Sequence, residues 1–131
     1  MRLLTLDDGG SSPVEFVLVG SLLTLLTLAV LQLGLAVYVR NVVHDAAVEG
    51  AYHAALADVG PAEGAQRARD VITRAVGSSY ADDIAATVVD GVAGDEVEVR
   101  IRTSLPVIAL VGIAGALEVT AHAPKESLGG G

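Results

Sequence analysis

The sequence contains no cysteine, which excludes disulfide bridges and thiol chemistry. It has one lysine, Lys125, and seven arginines against 16 aspartates and glutamates. The resulting formal net charge of −8 provides no electrostatic footprint for nucleic acid, so we expect no nucleic-acid partner. Charge is missing altogether from residues 16–39, in a chain that is 52% hydrophobic. The apolar residues are therefore segregated along the chain.

The uncharged run from Phe16 to Val39 predicts a single transmembrane helix. Its 24 residues would rise roughly 36 Å as a helix, enough to cross a bilayer core of about 30 Å with some tilt. A buried helix of a soluble core is disfavoured, because so small a chain could not cover the run on every side. A cleaved secretory signal is disfavoured because the run is long and its leading flank, Asp7 and Asp8, is acidic. Arg2 and Arg40 flank the run on opposite sides and leave its orientation undecided.

The residues after this run predict two helical segments. Residues 40 to about 58 are rich in alanine and free of proline, which favours a continuation of the helix. A second helix is predicted from Pro61 to about Val76 and is ended by "GSS" at residues 77–79. Two acid-before-base pairs spaced four apart predict weak ion pairs on an exposed face of that helix: Glu63 with Arg67, and Asp70 with Arg74.

The hydrophobic period then changes to two, which indicates strands. In "DEVEVRIRTSL" the inward side chains are Val97, Val99, Ile101 and Thr103, and the outward ones are Glu96, Glu98, Arg100 and Arg102. Residues 84–90 are the expected hairpin partner, and residues 116–123 form a third strand with Leu117, Val119 and Ala121 inward. We therefore predict a membrane-anchored α+β fold with a small, roughly three-stranded antiparallel sheet.

Two segments of the head are less well determined by pattern. Residues 105–117 are apolar but too short to span a bilayer. We favour a buried crossover, and the alternative is a surface that dips into the membrane or a partner. Residues 125–131, "KESLGGG", are predicted to form a disordered tail.

The stretch "DDGGSSPVEFVLVG" places a carboxylate, Glu15, at the mouth of the apolar helix. "SPVE" fits a helix cap, with Ser12 as N-cap, Pro13 in the first turn and Glu15 reaching back to a free amide. The alternative is a mark read by a protease, because Gly10 leaves the backbone accessible five residues before Glu15. Taken alone the motif favours a cap. The long helix and its Ala-rich continuation favour processing, and the two functions are compatible.

Two stretches, "GSSPVEF" at residues 10–16 and "AAVEGA" at residues 46–51, resemble TadE-like pseudopilins of tight-adherence (Flp-type) pilus systems. The second stretch lies within the longer "YVRNVVHDAAVEGAYHAA", which places an aromatic and a basic residue just past the membrane as in that family. The resemblance covers the first half of the chain; the head matches in its pilin-like architecture only.

This resemblance implies that a prepilin peptidase cuts between Gly10 and Ser11, so that Glu15 becomes the fifth residue and is followed by Phe16. It implies a bacterial cytoplasmic membrane protein with a cytoplasmic N-terminus and an extracytoplasmic head, in the membrane or within a pilus. The implied partners are the peptidase, other pilins or pseudopilins, the membrane assembly platform and the lipid bilayer. Pro13 and the two serines differ from major pilins and fit a minor subunit better.

A narrow stripe of mostly small or polar residues recurs along the apolar helix at spacings of three and four. Its members are Gly20, Thr24, Thr27, Leu31, Gly34 and Tyr38. Helices in lipid pack through such faces, so we predict that the stripe contacts a partner helix. A second stripe, Asn41, Asp45, Glu49 and His53, is expected to be a solvated face rather than a metal site, because it lacks a histidine pair at the usual spacing.

The sequence shows no Ser-His-Asp order, phosphate loop or persuasive carboxylate pair, and we expect neither an enzyme nor a cofactor. The expected organisation comprises a leader (1–10), a transmembrane helix (11–40), its continuation (41–58), the head (59–124) and the tail (125–131). The expected function is that of a minor pilin in assembly of a Flp-type (Tad) pilus for adhesion or secretion. The alternative is an unprocessed single-pass anchor whose head is a binding or scaffolding module.

Overall fold

A computed structural model of the chain describes residues 2–104 and 116–126, with the side chains of residues 11–104 and 117–126. In chain order the elements are helix α1 (Arg2–Ala55), helix α2 (Pro61–Ala75), a 3₁₀ turn (Ser78–Tyr80) and strands β1 (Asp83–Gly91), β2 (Gly94–Ser104) and β3 (Ala116–Pro124). The predicted α+β class, with a long apolar N-terminal helix and a small head, is confirmed. The chain divides into two compact units, residues 1–34 (the N-terminal unit) and residues 35–131 (the head unit).

The N-terminal unit is helical and leaves its apolar side chains uncovered. Every side chain from Ser11 to Leu31 is exposed, including Phe16 at 79%. From Ser11 onward α1 is long and apolar enough to cross a membrane. An apolar helix with no protein cover is stable in lipid and not in water, so the exposure agrees with the predicted transmembrane segment.

The helical bounds in the head unit agree closely with those predicted. Helix α1 ends at Ala55 rather than about Asp58, and α2 ends at Ala75 rather than about Val76. The amides of Val76 and Gly77 both donate to the carbonyl of Ile72, and Gly77 has a φ of +111°. Glycine takes this conformation without the steric cost that a side chain would add, which is why the "GSS" signal ends the helix.

The three strands form an antiparallel sheet in the order β1-β2-β3. Val99 of β2 lies opposite Ala86 of β1 and Ala121 of β3. The predicted inward side chains of β2 and β3 are buried or, for Thr103 and Leu117, half-buried. They join a single core cluster with residues of α1 and α2. Strict alternation fixes which face is buried, because a shift by one residue would turn every valine to solvent.

The outer face of the sheet carries the predicted charges as cross-strand pairs. Arg102 Nε donates to Glu118 Oε2 at 3.0 Å, and His122 Nε2 lies 2.9 Å from Glu98 Oε2. Arg100 bonds to Glu98 on its own strand at 2.9 Å. Exposed pairs of this kind contribute at most about 1 kcal/mol each, so they complete the solvated face rather than hold the fold.

Helix α2 packs antiparallel to the head portion of α1. Gly64 meets Gly50, Arg67 Nε donates to Glu49 Oε1 at 2.7 Å, and the Tyr38 hydroxyl donates to the carbonyl of Ala75 at 3.5 Å. Successive contacts along α2 thus reach progressively earlier positions on α1. We call α2 together with the head portion of α1 the helical hairpin.

Neither ion pair predicted within α2 forms. Glu63 instead accepts a hydrogen bond from the free amide of Gly60 at the helix start, and Arg67 reaches across to Glu49 on α1. Asp70 accepts from Gln66 at 3.0 Å. The prediction was wrong because it considered partners on one helix only, whereas the neighbouring helix and the free amide at the helix start offered competing ones.

The two helices of the helical hairpin approach each other closely because the residues at their contact positions are small. A Cβ atom on Gly50 would lie 2.7 Å from the Gly64 carbonyl oxygen, and one on Gly64 would meet Ala54 and lie 2.6 Å from the Gly50 carbonyl oxygen. Both obstacles include backbone atoms, which cannot rotate away. Each glycine is followed four residues later by a fully buried alanine, Ala54 or Ala68, so each helix contributes a small-xxx-small pair to the contact.

Two predicted segments fall partly or wholly outside this description. Residues 105–115, most of the apolar crossover, lie outside the described residues, as do residues 127–131 of the predicted tail. The first two tail residues are described: the amides of Lys125 and Glu126 donate to the carbonyls of Asp95 at 2.9 Å and Ala55 at 2.8 Å. The domain boundaries and the disorder of the tail stay predictions.

Replacing Gly64 by alanine tests the close helical contact. In an open helix this change stabilises by up to about 1 kcal/mol, but here we expect a loss of about 1–3 kcal/mol from overpacking. Amide hydrogen exchange of α2 in the detergent-solubilised full chain should accelerate. Gly34→Ala on α1 is the matched control, since nothing lies within 4 Å of its added Cβ, and it should leave α2 unchanged. Unchanged exchange in Gly64→Ala would contradict the contact.

Candidate processing and packing site on helix α1

The predicted cleavage position lies within a continuous helix in the intact chain. Helix α1 begins at Arg2 and contains Pro13 in its interior. Proline has no amide hydrogen, so the carbonyl of Gly9 receives no hydrogen bond from position 13, and the ring crowds that carbonyl. Gly10 adds a poor helix former in the same turn. The turn that contains the Gly10–Ser11 bond therefore lacks one backbone hydrogen bond.

The N-cap predicted at Ser12 is not formed in the intact chain, because the helix starts ten residues earlier at Arg2. Leucines at positions 3, 4 and 6 are good helix formers and extend α1 through the leader. A cap at Ser12 requires a chain that starts at Ser11 or nearby, and for that chain it stays a prediction.

Glu15 presents an exposed carboxylate immediately before the exposed ring of Phe16. It makes no hydrogen bond or ion pair within the described residues. A charge at the edge of hydrocarbon is stable only when it is paired or reaches water. Glu15 therefore either reaches water at the membrane surface or is paired by a group outside the described residues.

The head unit covers α1 from Ala36 onward and so determines how much of the apolar run is left for lipid. Ala36 is 9% exposed and Val39 is 1% exposed, both through packing within the head unit. The part of the run that precedes Ala36 is Phe16–Leu35, which comprises 20 residues, all exposed except the half-buried Gln32. As a helix it measures about 30 Å, the thickness of a bilayer core.

The predicted packing stripe is exposed from Gly20 to Gly34, and its hydroxyls bond to their own helix. Thr24 Oγ1 donates to the Gly20 carbonyl and Thr27 Oγ1 to the Leu23 carbonyl, each at 2.8 Å. No atom lies within 4 Å of a Cβ built on Gly20 or Gly34. The stripe therefore offers threonine methyl groups and the exposed backbone of its glycines to a neighbouring helix. Its last member, Tyr38, instead bonds to α2. Contact with a partner helix stays a prediction.

The "AAVEGA" stretch forms the α1 side of the helical hairpin. Its alanines and glycine are fully buried, while Glu49 projects outward and binds Arg67. Gly64 and Arg67, the positions on α2 that contact this stretch, were not predicted from the sequence. The spacing Gly64-xxx-Ala68 was the available signal, because it repeats the spacing Gly50-xxx-Ala54.

The other polar stripe is divided between solvent and this contact. Asn41 and Asp45 are exposed and His53 is half-buried. Glu49 is engaged by Arg67. Within the described part of the chain, no three His, Asp or Glu side chains are grouped so that they could hold a metal ion.

The family model of TadE-like proteins matches residues 10–51. This segment is TadE-like. The match starts at Gly10, the residue before the predicted cut, and ends at Ala51, the last residue of "AAVEGA". The resemblance predicted from these two stretches is thereby confirmed for this segment. Comparisons with curated proteins and with solved structures gave no match.

Substituting Pro13 tests the weak turn at the start of the TadE-like segment. Pro13→Ala restores the missing hydrogen bond and should stabilise this turn by up to about 3 kcal/mol. Amide exchange over residues 10–17 of the full chain in detergent should become markedly slower. Ser12→Ala is the matched control, because serine and alanine differ in helix propensity by only about 0.5 kcal/mol. Equal exchange in wild type and Pro13→Ala would show that the turn is not weakened.

Proposed function

We propose that the chain is a minor pilin of a Flp-type (Tad) pilus, cut by a prepilin peptidase after Gly10, which acts in pilus assembly for adhesion or secretion. The match to the TadE-like family from Gly10 to Ala51 carries this proposal. The uncovered apolar helix directly after the motif supports it, because a pilin needs a helix that can exchange lipid for neighbouring subunits.

Processing uses the weak turn before the apolar run. A protease must hold its substrate in an extended form around the bond it cuts, and Pro13 with Gly10 lowers the cost of unwinding α1 there. Glycine on the leaving side adds no side chain that could clash. Leader removal also discards Asp7 and Asp8, so Glu15 becomes the first acidic residue of the mature chain.

Cleavage creates the partner that Glu15 lacks in the intact chain. The new α-amino group on Ser11, with a reference pKa of about 7.7–8.0, lies one helical turn from Glu15. In an assembly the amine of one subunit can reach Glu15 of the next when their helices are aligned along the membrane normal. Misaligned helices leave both charges unpaired in an apolar setting, and this cost selects the correct register.

Lateral packing then follows from the small stripe on α1. Gly20 and Gly34 allow a neighbouring helix to approach its backbone, and the two threonine hydroxyls need no partner from that helix. The head remains attached through α1 and faces the extracytoplasmic side. Other pilins or pseudopilins and the assembly platform are the partners of this surface.

The first test is the mass of the chain extracted from membranes of cells with an active prepilin peptidase. We expect the mature protein to begin at Ser11. Gly10→Val should block the cut by placing a branched side chain at the bond, while Gly9→Val is the matched control and should still be processed. An intact N-terminus in peptidase-positive cells would refute the processing step and favour the unprocessed anchor with a binding head.

The second test separates cleavage from assembly. Glu15→Ala should be cut normally but enter pilus fractions about tenfold to hundredfold less, because one hydrogen-bonded charge pair of about 1.5–3 kcal/mol is lost. Quantitative immunoblots of sheared pili against total membrane protein give the ratio. Asp45→Ala removes an exposed acid from the head portion of α1 and should assemble normally. Wild-type recovery of Glu15→Ala would remove the role in register.

A further inference from the structure

Two arginines of the head unit have no partner within the described residues, Arg40 on α1 and Arg74 on α2. The other arginines whose side chains the structure describes are all engaged. Arg67, Arg100 and Arg102 pair with glutamates, and Arg69 donates to the Ala81 carbonyl and to Gln66. Asp70, the acid predicted to pair with Arg74, accepts a hydrogen bond from Gln66. Both free guanidinium groups are exposed.

The register of the helical hairpin brings these two arginines to the same level. Along α2 the contacts advance from Gly64 to Ala75, while on α1 they go back from Gly50 to Tyr38. Arg74 precedes Ala75, so it lies level with the stretch of α1 between Tyr38 and Arg40. At about 1.5 Å per residue the axial offset of the two arginines is only about 3 Å.

This level coincides with the headgroup zone of a bilayer that contains the uncovered run. Leu35 is the last residue of that run, and Arg40 follows about 7.5 Å further along the helix. The headgroup layer beyond each side of the hydrocarbon core is about 5–8 Å thick. Tyr38 lies between them, where tyrosine commonly marks the interface, and its hydroxyl lies 3.5 Å from the carbonyl oxygen of Ala75 at the end of α2.

We propose that Arg40 and Arg74 bind phosphate groups of anionic phospholipids on the head side of the bilayer. Guanidinium groups present paired donors that match phosphate oxygens. In a chain of net charge −8, which an anionic membrane surface repels overall, this pair provides a local attachment at the base of the head.

The proposal requires only that α1 lies in a bilayer, so it does not depend on cleavage after Gly10 or on a pilus. The occupant is a lipid because the site is at headgroup depth and beside the end of a lipid-length run. A carboxylate from a second copy of the chain is the competing occupant, and the experiment below distinguishes the two.

The full chain is reconstituted in bilayers, and its preference for spin-labelled phosphatidylglycerol over spin-labelled phosphatidylcholine is measured by electron paramagnetic resonance. Each of Arg40→Gln and Arg74→Gln should lower the preference about fivefold, which corresponds to about 1 kcal/mol per arginine near an anionic surface. The double variant should lose it. Arg102→Gln, an exposed arginine on the sheet bound to Glu118, is the matched control and should keep it.

Two results would overturn the proposal. One is a double variant with undiminished preference for phosphatidylglycerol, or a control that loses as much as the double variant. The other is a double variant with unchanged lipid preference but weaker self-association, measured by energy transfer between labelled copies at increasing dilution in the bilayer; this would assign the arginines to a second subunit. Unchanged amide exchange of α2 in the double variant confirms that the helical hairpin is intact.

Discussion

The close contact between Gly50 and Gly64 is the constraint on which the rest of the head depends. It lets α2 approach the backbone of α1, so that small side chains and not large ones fill the space between the helices. That approach brings Glu49 to Arg67 and Tyr38 to the end of α2. The core cluster then has a helical surface on which the valines and isoleucine of β2 can be buried. A larger side chain at either glycine would separate all of these contacts at once.

One part of helix α1 is suited to lipid and the other part packs within the head. Its residue composition changes between these two parts. From Phe16 to Leu35 leucine dominates and protein leaves the side chains uncovered. From Ala36 the buried positions are alanine, valine and glycine, which suit a close contact with another backbone. Large apolar residues gain nothing from helix contact in lipid, whereas small residues permit it. This change of residue size within α1 separates the anchor from the base of the head.

The local spacing of apolar residues predicted most of the fold. The helices and strands of this chain depend largely on residues that are near one another in the sequence. The strand faces of β2 and β3, the ends of α2 and the extent of the apolar run all came from such patterns. The ion pairs within α2 were wrong, since Arg67 found a partner on another helix. The start of α1 was also misplaced in the intact chain. Helix formers upstream of Ser12 outweighed a good capping sequence, and Pro13 was accommodated inside the helix at the cost of one hydrogen bond.

The functional positions were harder to predict than the fold because their partners lie outside the chain. "GSSPVEF" indicated the resemblance to TadE-like proteins, yet the described residues offer Glu15 no counter-charge. Beyond the lipid-length run, Arg40 and Arg74 are similarly free, although the other arginines with described side chains are engaged. Unpaired charges beside an apolar anchor lie where other molecules can approach. We therefore infer that a subunit amine pairs with Glu15 at one end, and that lipid phosphates pair with Arg40 and Arg74 at the other.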